Sequence, residues 1–75
     1  MEPYKDFSRN SGVLAYECGS DFIRVEFKNS SIYLYTYTST GGANIEQMKR
    51  LAHAGEGLAT FINENVRERF ARHER

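Results

Sequence analysis

An α+β fold, in which a three-stranded antiparallel β-meander is followed by two α-helices packed on one sheet face (β-β-β-α-α), is what three features of the 75-residue sequence predict. From Phe22 to Tyr37, β-branched and aromatic residues alternate on either side of Lys28-Asn29-Ser30-Ser31, giving the period of two and the polar tip of a β-hairpin. After Gly41-Gly42, apolar residues return at helical spacing, first over 44–54 and then over 58–73. Between those blocks, Ala54-Gly55-Glu56-Gly57 supplies the glycines that end one helix before the next begins.

Residues 1–11 mix one proline, charges and the aromatics Tyr4 and Phe7 without periodicity, and read as a mobile N-terminal arm ahead of a single domain over 12–75, the alternative being that Tyr4 and Phe7 fold back onto that domain. Val13 to Glu17 forms the first strand, with Gly19-Ser20 as the centre of a two-residue loop. That loop sets Glu17 opposite Phe22, Tyr16 opposite Ile23 and Leu14 opposite Val25. A second two-residue loop at Asn29-Ser30, where asparagine tolerates positive φ, sets Phe27 opposite Ile32 and Val25 opposite Leu34. Side chains alternate along a strand, so these registers collect Leu14, Tyr16, Ile23, Val25, Phe27, Ile32 and Leu34 on one apolar face. Tyr33, Tyr35 and Tyr37 then project from the opposite face, with Arg24 beside them and Lys28 at the hairpin tip. One bulge residue in the Lys28–Ser31 loop would instead send the tyrosines inward.

Thr38 to Gly42 reads as flexible punctuation that lets the chain leave the sheet. The first helix begins at Asn44, with Gln47 at the spacing of a capping box and Ile45, Met48, Leu51 and Ala52 as its buried stripe. Gly55 is its left-handed cap. The second helix runs from about Leu58 to His73, placing Leu58, Phe61, Ile62, Val66 and Phe70 on one face and Glu68 four residues before Arg72, as in an ion pair.

Hydrophobic residues at 40% and charged residues at 27% match ordinary globular usage. Ten basic against ten acidic side chains leave no formal net charge, which counts against a partner held by bulk electrostatics, such as a long duplex or an anionic membrane. The single cysteine, Cys18, has no partner for an internal disulfide, and no secretory h-region is evident; a cytoplasmic setting is expected. No apolar run approaches the roughly 18 residues that a membrane span requires.

The residues from Ser11 to Tyr35, with Val25-Glu26-Phe27-Lys28 leading to Tyr33-Leu34-Tyr35, resemble the KTSC domain, a short module that occurs alone in bacterial and phage proteins and at the C-terminus of some lysyl-tRNA synthetases. Its pattern is a strand, a V-x-F strand, a turn and a central Y-x-Y. Ile62-Asn63-Glu64-Asn65-Val66, with Phe70 four residues on, resembles the family's F-N-x-x-I-x-x-x-Y helix, so the likeness covers about 11–70. The Val-Pro that often follows the Y-x-Y is replaced here by Thr36-Tyr37-Thr38. The resemblance implies no activity; attachment to a synthetase suggests RNA binding, with Tyr33 and Tyr35 as candidate contacts.

The tyrosine row is the feature with functional content, and it admits three readings. Rings on an open sheet, with Arg24 and Lys28 nearby, could stack single-stranded bases. They could equally form an interface to a protein partner or a second copy, where tyrosine and arginine are enriched. They could also simply line a strand, for which tyrosine has high propensity. Zero net charge favours the protein partner over RNA. No metal site or cofactor is expected, because His53 and His73 lie on different predicted helices without a Cys or carboxylate cluster. No catalytic constellation is expected either: no serine has the strand-turn-helix context of a nucleophile elbow, and the acidic neighbours Glu17 and Asp21 disfavour a Cys18 thiolate. The expectation is a small non-catalytic binding module, without a small-molecule substrate.

Overall fold

A computed structural model describes residues 1–7 and 11–75. It is an α+β structure whose antiparallel sheet has five strands: β1 (Glu2–Pro3), β2 (Val13–Cys18), β3 (Phe22–Phe27), β4 (Ile32–Thr36) and β5 (Arg72–His73), in that spatial order. The three central strands are those the alternation predicts. The two edge pieces are not. Glu2 and Pro3 pair with Tyr16 and Ala15, and the Tyr4 N–H donates to the Leu14 carbonyl at 2.9 Å. The expected mobile arm is therefore placed against the domain over residues 1–7, with Glu2–Pro3 as an edge strand that satisfies backbone groups of β2; residues 8–10 lie outside the described residues. Tyr4 carries the packing, buried in the core with its hydroxyl oxygen accepting the Leu58 N–H at 3.2 Å.

Both hairpins depart from the predicted registers. At the first, Gly19 N–H donates to Phe22 O at 2.9 Å, which moves the loop to Ser20-Asp21 and pairs Tyr16 with Val25 and Glu17 with Arg24. Because the shift is even, Tyr16, Ile23 and Val25 keep their common buried face. A bulge between Val13 and Ala15 then exchanges the ends of β2: Val13 sits opposite Phe27 and is fully buried, whereas Leu14 is 48% exposed. At the second hairpin the loop has three residues, Lys28-Asn29-Ser30, closed by Phe27 N–H to Ser31 O at 2.8 Å and Ser30 N–H to Phe27 O at 2.9 Å. Ser30, not Asn29, takes the positive φ of 74°, and the Asn29 carboxamide oxygen instead accepts the Ser31 N–H at 3.0 Å. This odd-numbered loop pairs Val25 with Tyr33 and Ile23 with Tyr35, and so turns every side chain of β4 to the other face. Ser30→Gly should stabilise the chain by about 0.5–1 kcal/mol, since relief of left-handed strain outweighs the added freedom of the unfolded state; a loss of stability in urea unfolding would contradict the loop assignment.

The segment after β4 is ordered rather than a flexible hinge. Thr36 caps a single helical turn, α1 (Tyr37–Thr40), its hydroxyl accepting the Ser39 N–H while the Ser39 hydroxyl accepts the Thr36 N–H, both at 3.1 Å. The capping box is thus here and not at Asn44. Helix α2 (Gly42–Ala54) starts two residues earlier than predicted, and Asn44 donates its side-chain amide to Thr40 O at 2.9 Å, linking the helices. Ile45, Met48 and Ala52 are buried as the stripe requires, and Gly55 ends the helix at φ 80°. A Cβ at Gly55 would stand 2.8 Å from the Lys5 Cβ, so the N-terminal strap can close over this cap only because the residue is glycine.

The last helix is shorter than its apolar spacing suggests. Four residues of α3 (Leu58–Phe61) are followed by a wider π-type turn over Ile62–Val66, closed by Arg67 N–H to Ile62 O at 2.6 Å. Arg67 then turns the chain at φ 35° and ψ −103°. Phe70 leaves the helical stripe to meet β4, and β5 pairs Arg72 with Leu34 and His73 with Tyr33. The predicted Glu68–Arg72 helical pair does not form, because Arg72 belongs to a strand. The cause is tertiary: β4 would otherwise expose an unpaired edge, and Ala71 N–H to Leu34 O at 2.6 Å, Glu74 N–H to Ile32 O at 2.7 Å and Ile32 N–H to Arg75 O at 2.8 Å close it. One core joins both layers, with Val13, Tyr16, Ile23, Val25 and Tyr35 from the sheet meeting Ile45, Met48, Leu58, Ile62 and Val66 from the helices. Among the described residues no helix is long and apolar enough to cross a membrane.

Candidate ligand groove

The five residues singled out from the sequence do not share a surface. Tyr35 is 2% exposed, in the core. Tyr33 stands on the same helix-facing side of the sheet, its ring stacked on His73 with centroids 4.3 Å apart at 15°, flanked by Phe70 at 4.7 Å and Phe27 at 5.6 Å. Tyr37 is outside the sheet altogether: it opens α1 and donates its hydroxyl to the Glu46 carboxylate at 2.5 Å. That hydrogen bond holds the Glu46 carboxyl below its ordinary range and pushes the Tyr37 hydroxyl up. Arg24 alternates with the buried Ile23 and Val25 and so lies on the uncovered sheet face, bonded to Glu74 at 2.9 Å and Glu17 at 3.3 Å. Arg75 joins Glu26 there at 2.8 Å. The uncovered face is a mesh of ion pairs around aliphatic side chains, not a row of phenols. The odd-numbered loop is the physical reason.

What the reversal creates is a groove of about 580 Å³ at the open end of the helix-covered side. Its floor is Tyr33 and Tyr35 of β4 with Phe27 of β3; one wall is Ile62 and Asn63 of the π-type turn, continued by Arg67, Glu68 and Phe70; the hairpin tip supplies Lys28 and Asn29. Three of the expected residues therefore line it, Tyr33, Tyr35 and Lys28. His73 lies parallel on the Tyr33 ring and takes up one of the two faces a stacked base would need.

The polar groups of the groove are mixed: Lys28 and Arg67 donate, Glu68 accepts, and Tyr33, Tyr35, Asn29 and Asn63 can do both. The Tyr35 hydroxyl hydrogen-bonds to no described residue, and since no fully buried side-chain N or O lacks a partner among those residues, it opens into the groove. Burial pushes its pKa up to about 12, so it keeps its proton at neutral pH. Arg67 makes no ion pair with a described residue, and neither does its neighbour Glu68. Lys28 is held by Asp6 at 3.0 Å. A π-type turn and a non-glycine residue at positive φ both fall on the same wall, features that concentrate at functional sites.

Arg67, Asn63 and Phe70 were not foreseen as site residues. No glycine or proline marks the helix end at Arg67, and the apolar spacing continues through Phe70, so nothing local signals that the chain turns back. Among the described residues no three His, Cys, Asp or Glu side chains gather as a metal site would need; His53 packs edge-on to Tyr16 at 5.7 Å, far from His73 in the fold. Comparison with protein-family models, with curated proteins and with solved structures finds nothing that matches this chain.

Proposed function

We propose that the chain is a small non-catalytic binding module that holds a segment of a partner protein in the groove between β4 and the π-type turn. The observation that carries this reading is a groove with an aromatic floor of Phe27, Tyr33 and Phe70, into which the Tyr35 hydroxyl opens without a described partner. A volume of about 580 Å³ is in the range of recognition sites, and aromatic side chains set beside polar ones are common in their linings. The reading keeps Tyr33 and Tyr35 in the binding surface, moves it from the open sheet to the helix side, and leaves Arg24 and Tyr37 out. Membership of the KTSC family belongs to the same proposal, resting on the Y-x-Y of Tyr33 and Tyr35 and the Asn63 helix, both of which contribute lining residues. So does a cytoplasmic setting, which rests on the lone Cys18. A photo-reactive residue at Asn63 is expected to capture protein adducts in cells, while the same group at Leu14 on the uncovered face captures few. Adducts concentrated at Leu14, or adducts at Asn63 that are RNA, would place the partner elsewhere or change its class.

A further inference from the structure

We propose that residues 67–75 are a conformational switch: docked as β5 they complete the groove, and in a second state residues 62–73 continue α3 as one α-helix and uncover the β4 edge. The switch regulates the groove, and its value to binding rests on the groove reading; the two states themselves do not.

Local preference and the docked state conflict over this segment. Arg, Glu and Ala, among the best helix formers, fill five of the six positions 67–72, and Glu and Ala are poor strand formers. No glycine or proline stops the helix there. Helical continuation would set Phe70 four residues past Val66 on the apolar stripe, and Glu68 four residues before Arg72 for an ion pair. The docked state gives this up. It turns the chain at Arg67, φ 35° and ψ −103°, a conformation unfavourable to any residue with a Cβ, and widens the preceding turn to the π type.

Tertiary contacts compensate. Phe70 packs on Tyr33 at 4.7 Å and Tyr35 at 6.3 Å, His73 stacks on Tyr33, and the buried Thr40 hydroxyl donates to the Arg69 carbonyl at 2.7 Å. Yet β5 pairs only Arg72 and His73, both exposed, and Phe70 is half-buried. A strained hinge and a helical sequence on one side, a short edge strand on the other, make a two-state element. Arg67, Glu68 and Phe70 line one wall, so the groove in its present form exists only when β5 is docked.

The test is amide hydrogen exchange and chemical-exchange saturation transfer NMR on the full chain and on Arg67→Gly, Arg67→Ala and His73→Ala. The amides of Ile32, Ala71 and Glu74, which bond across β4 and β5, should exchange together, about tenfold or more faster than those of the β2–β3 ladder. The minor state should carry helical Cα shifts over residues 68–73. Arg67→Gly should slow these amides about fivefold or more, because glycine accepts the positive φ and weakens the helix. Arg67→Ala, which keeps a Cβ, should not slow them. His73→Ala should speed them about threefold, since the stack on Tyr33 exists only in the docked state. Exchange no faster than in the β2–β3 ladder, a minor state with coil shifts, or equal rates in Arg67→Gly and Arg67→Ala each overturn the switch. Photo-adducts at Asn63 should fall in His73→Ala. Switching as described with no adducts at Asn63 in either protein overturns the groove reading and leaves the switch standing; adducts at Asn63 without a second state do the reverse.

Discussion

Tyr35→Ala is expected to remove about 3–5 kcal/mol of stability, whereas Tyr35→Phe changes it by less than about 0.5 kcal/mol. The ring is 2% exposed and joins strand and helix residues in one core, so its loss leaves a cavity in the middle of a 75-residue chain. Domains of this size hold only about 5 kcal/mol in total, so the alanine variant should be largely unfolded at 37 °C. The hydroxyl, by contrast, bonds to no described residue and opens to the groove, so its removal costs no internal hydrogen bond. Urea unfolding followed by circular dichroism measures both; an alanine variant within about 1 kcal/mol of the parent would mean the ring is not in the core. The same burial makes an alkaline prediction. Tyr35 is pushed up to about 12 in the folded chain but ionises near 10 when unfolded, so the folded state retains a proton that the unfolded state gives up between those values. Stability should hold below about pH 10 and fall as pH rises toward 12. Tyr35→Phe should make that fall shallower without abolishing it, because burial also lifts Tyr16 to about 12.

Tyr4→Ala should cost about 3–5 kcal/mol, an effect as large as that of a central core residue although Tyr4 lies four residues from the start of the sequence. Its ring is 6% exposed, and its hydroxyl oxygen accepts the N–H of Leu58 in the first turn of α3. Tyr4→Phe keeps the ring and leaves that buried N–H without an acceptor, with an expected cost of about 1–3 kcal/mol. The two variants separate packing from the hydrogen bond. A mobile arm would predict no change in either, and hydrogen exchange at Leu58, fast in Tyr4→Phe and slow in the parent, reads the same contact directly.

The spans of β2, β3, β4 and α2 were legible because each rests on local signals: alternation in Val13–Phe27, the helical stripe Ile45, Met48 and Ala52, and the left-handed glycine at 55. The face of the tyrosines was not. Between Ile32 and Thr36 both alternating sets are apolar enough to be buried, Ile32 and Leu34 on one side and Tyr33 and Tyr35 on the other, so hydrophobic pattern alone does not choose. The choice falls to a single residue of loop length, and Lys28–Ser30 closes over three residues because Ser30 takes the left-handed conformation while Asn29 caps Ser31. The candidate groove was legible only in part: Tyr33, Tyr35 and Lys28 are in it, but Arg67 and Phe70 arrive by a turn that the helical spacing conceals.

Composition and local periodicity by themselves determined an α+β chain with a central antiparallel hairpin, an amphipathic helix and its glycine stop, because those features depend on contacts within a few residues along the chain. Only the tertiary structure decided which sheet face is covered, how the last helix ends and that both chain ends pair as edge strands. The reason is that open backbone groups on β2 and β4 require partners, and the nearest ones in space, Glu2–Pro3 and Arg72–His73, are remote in sequence.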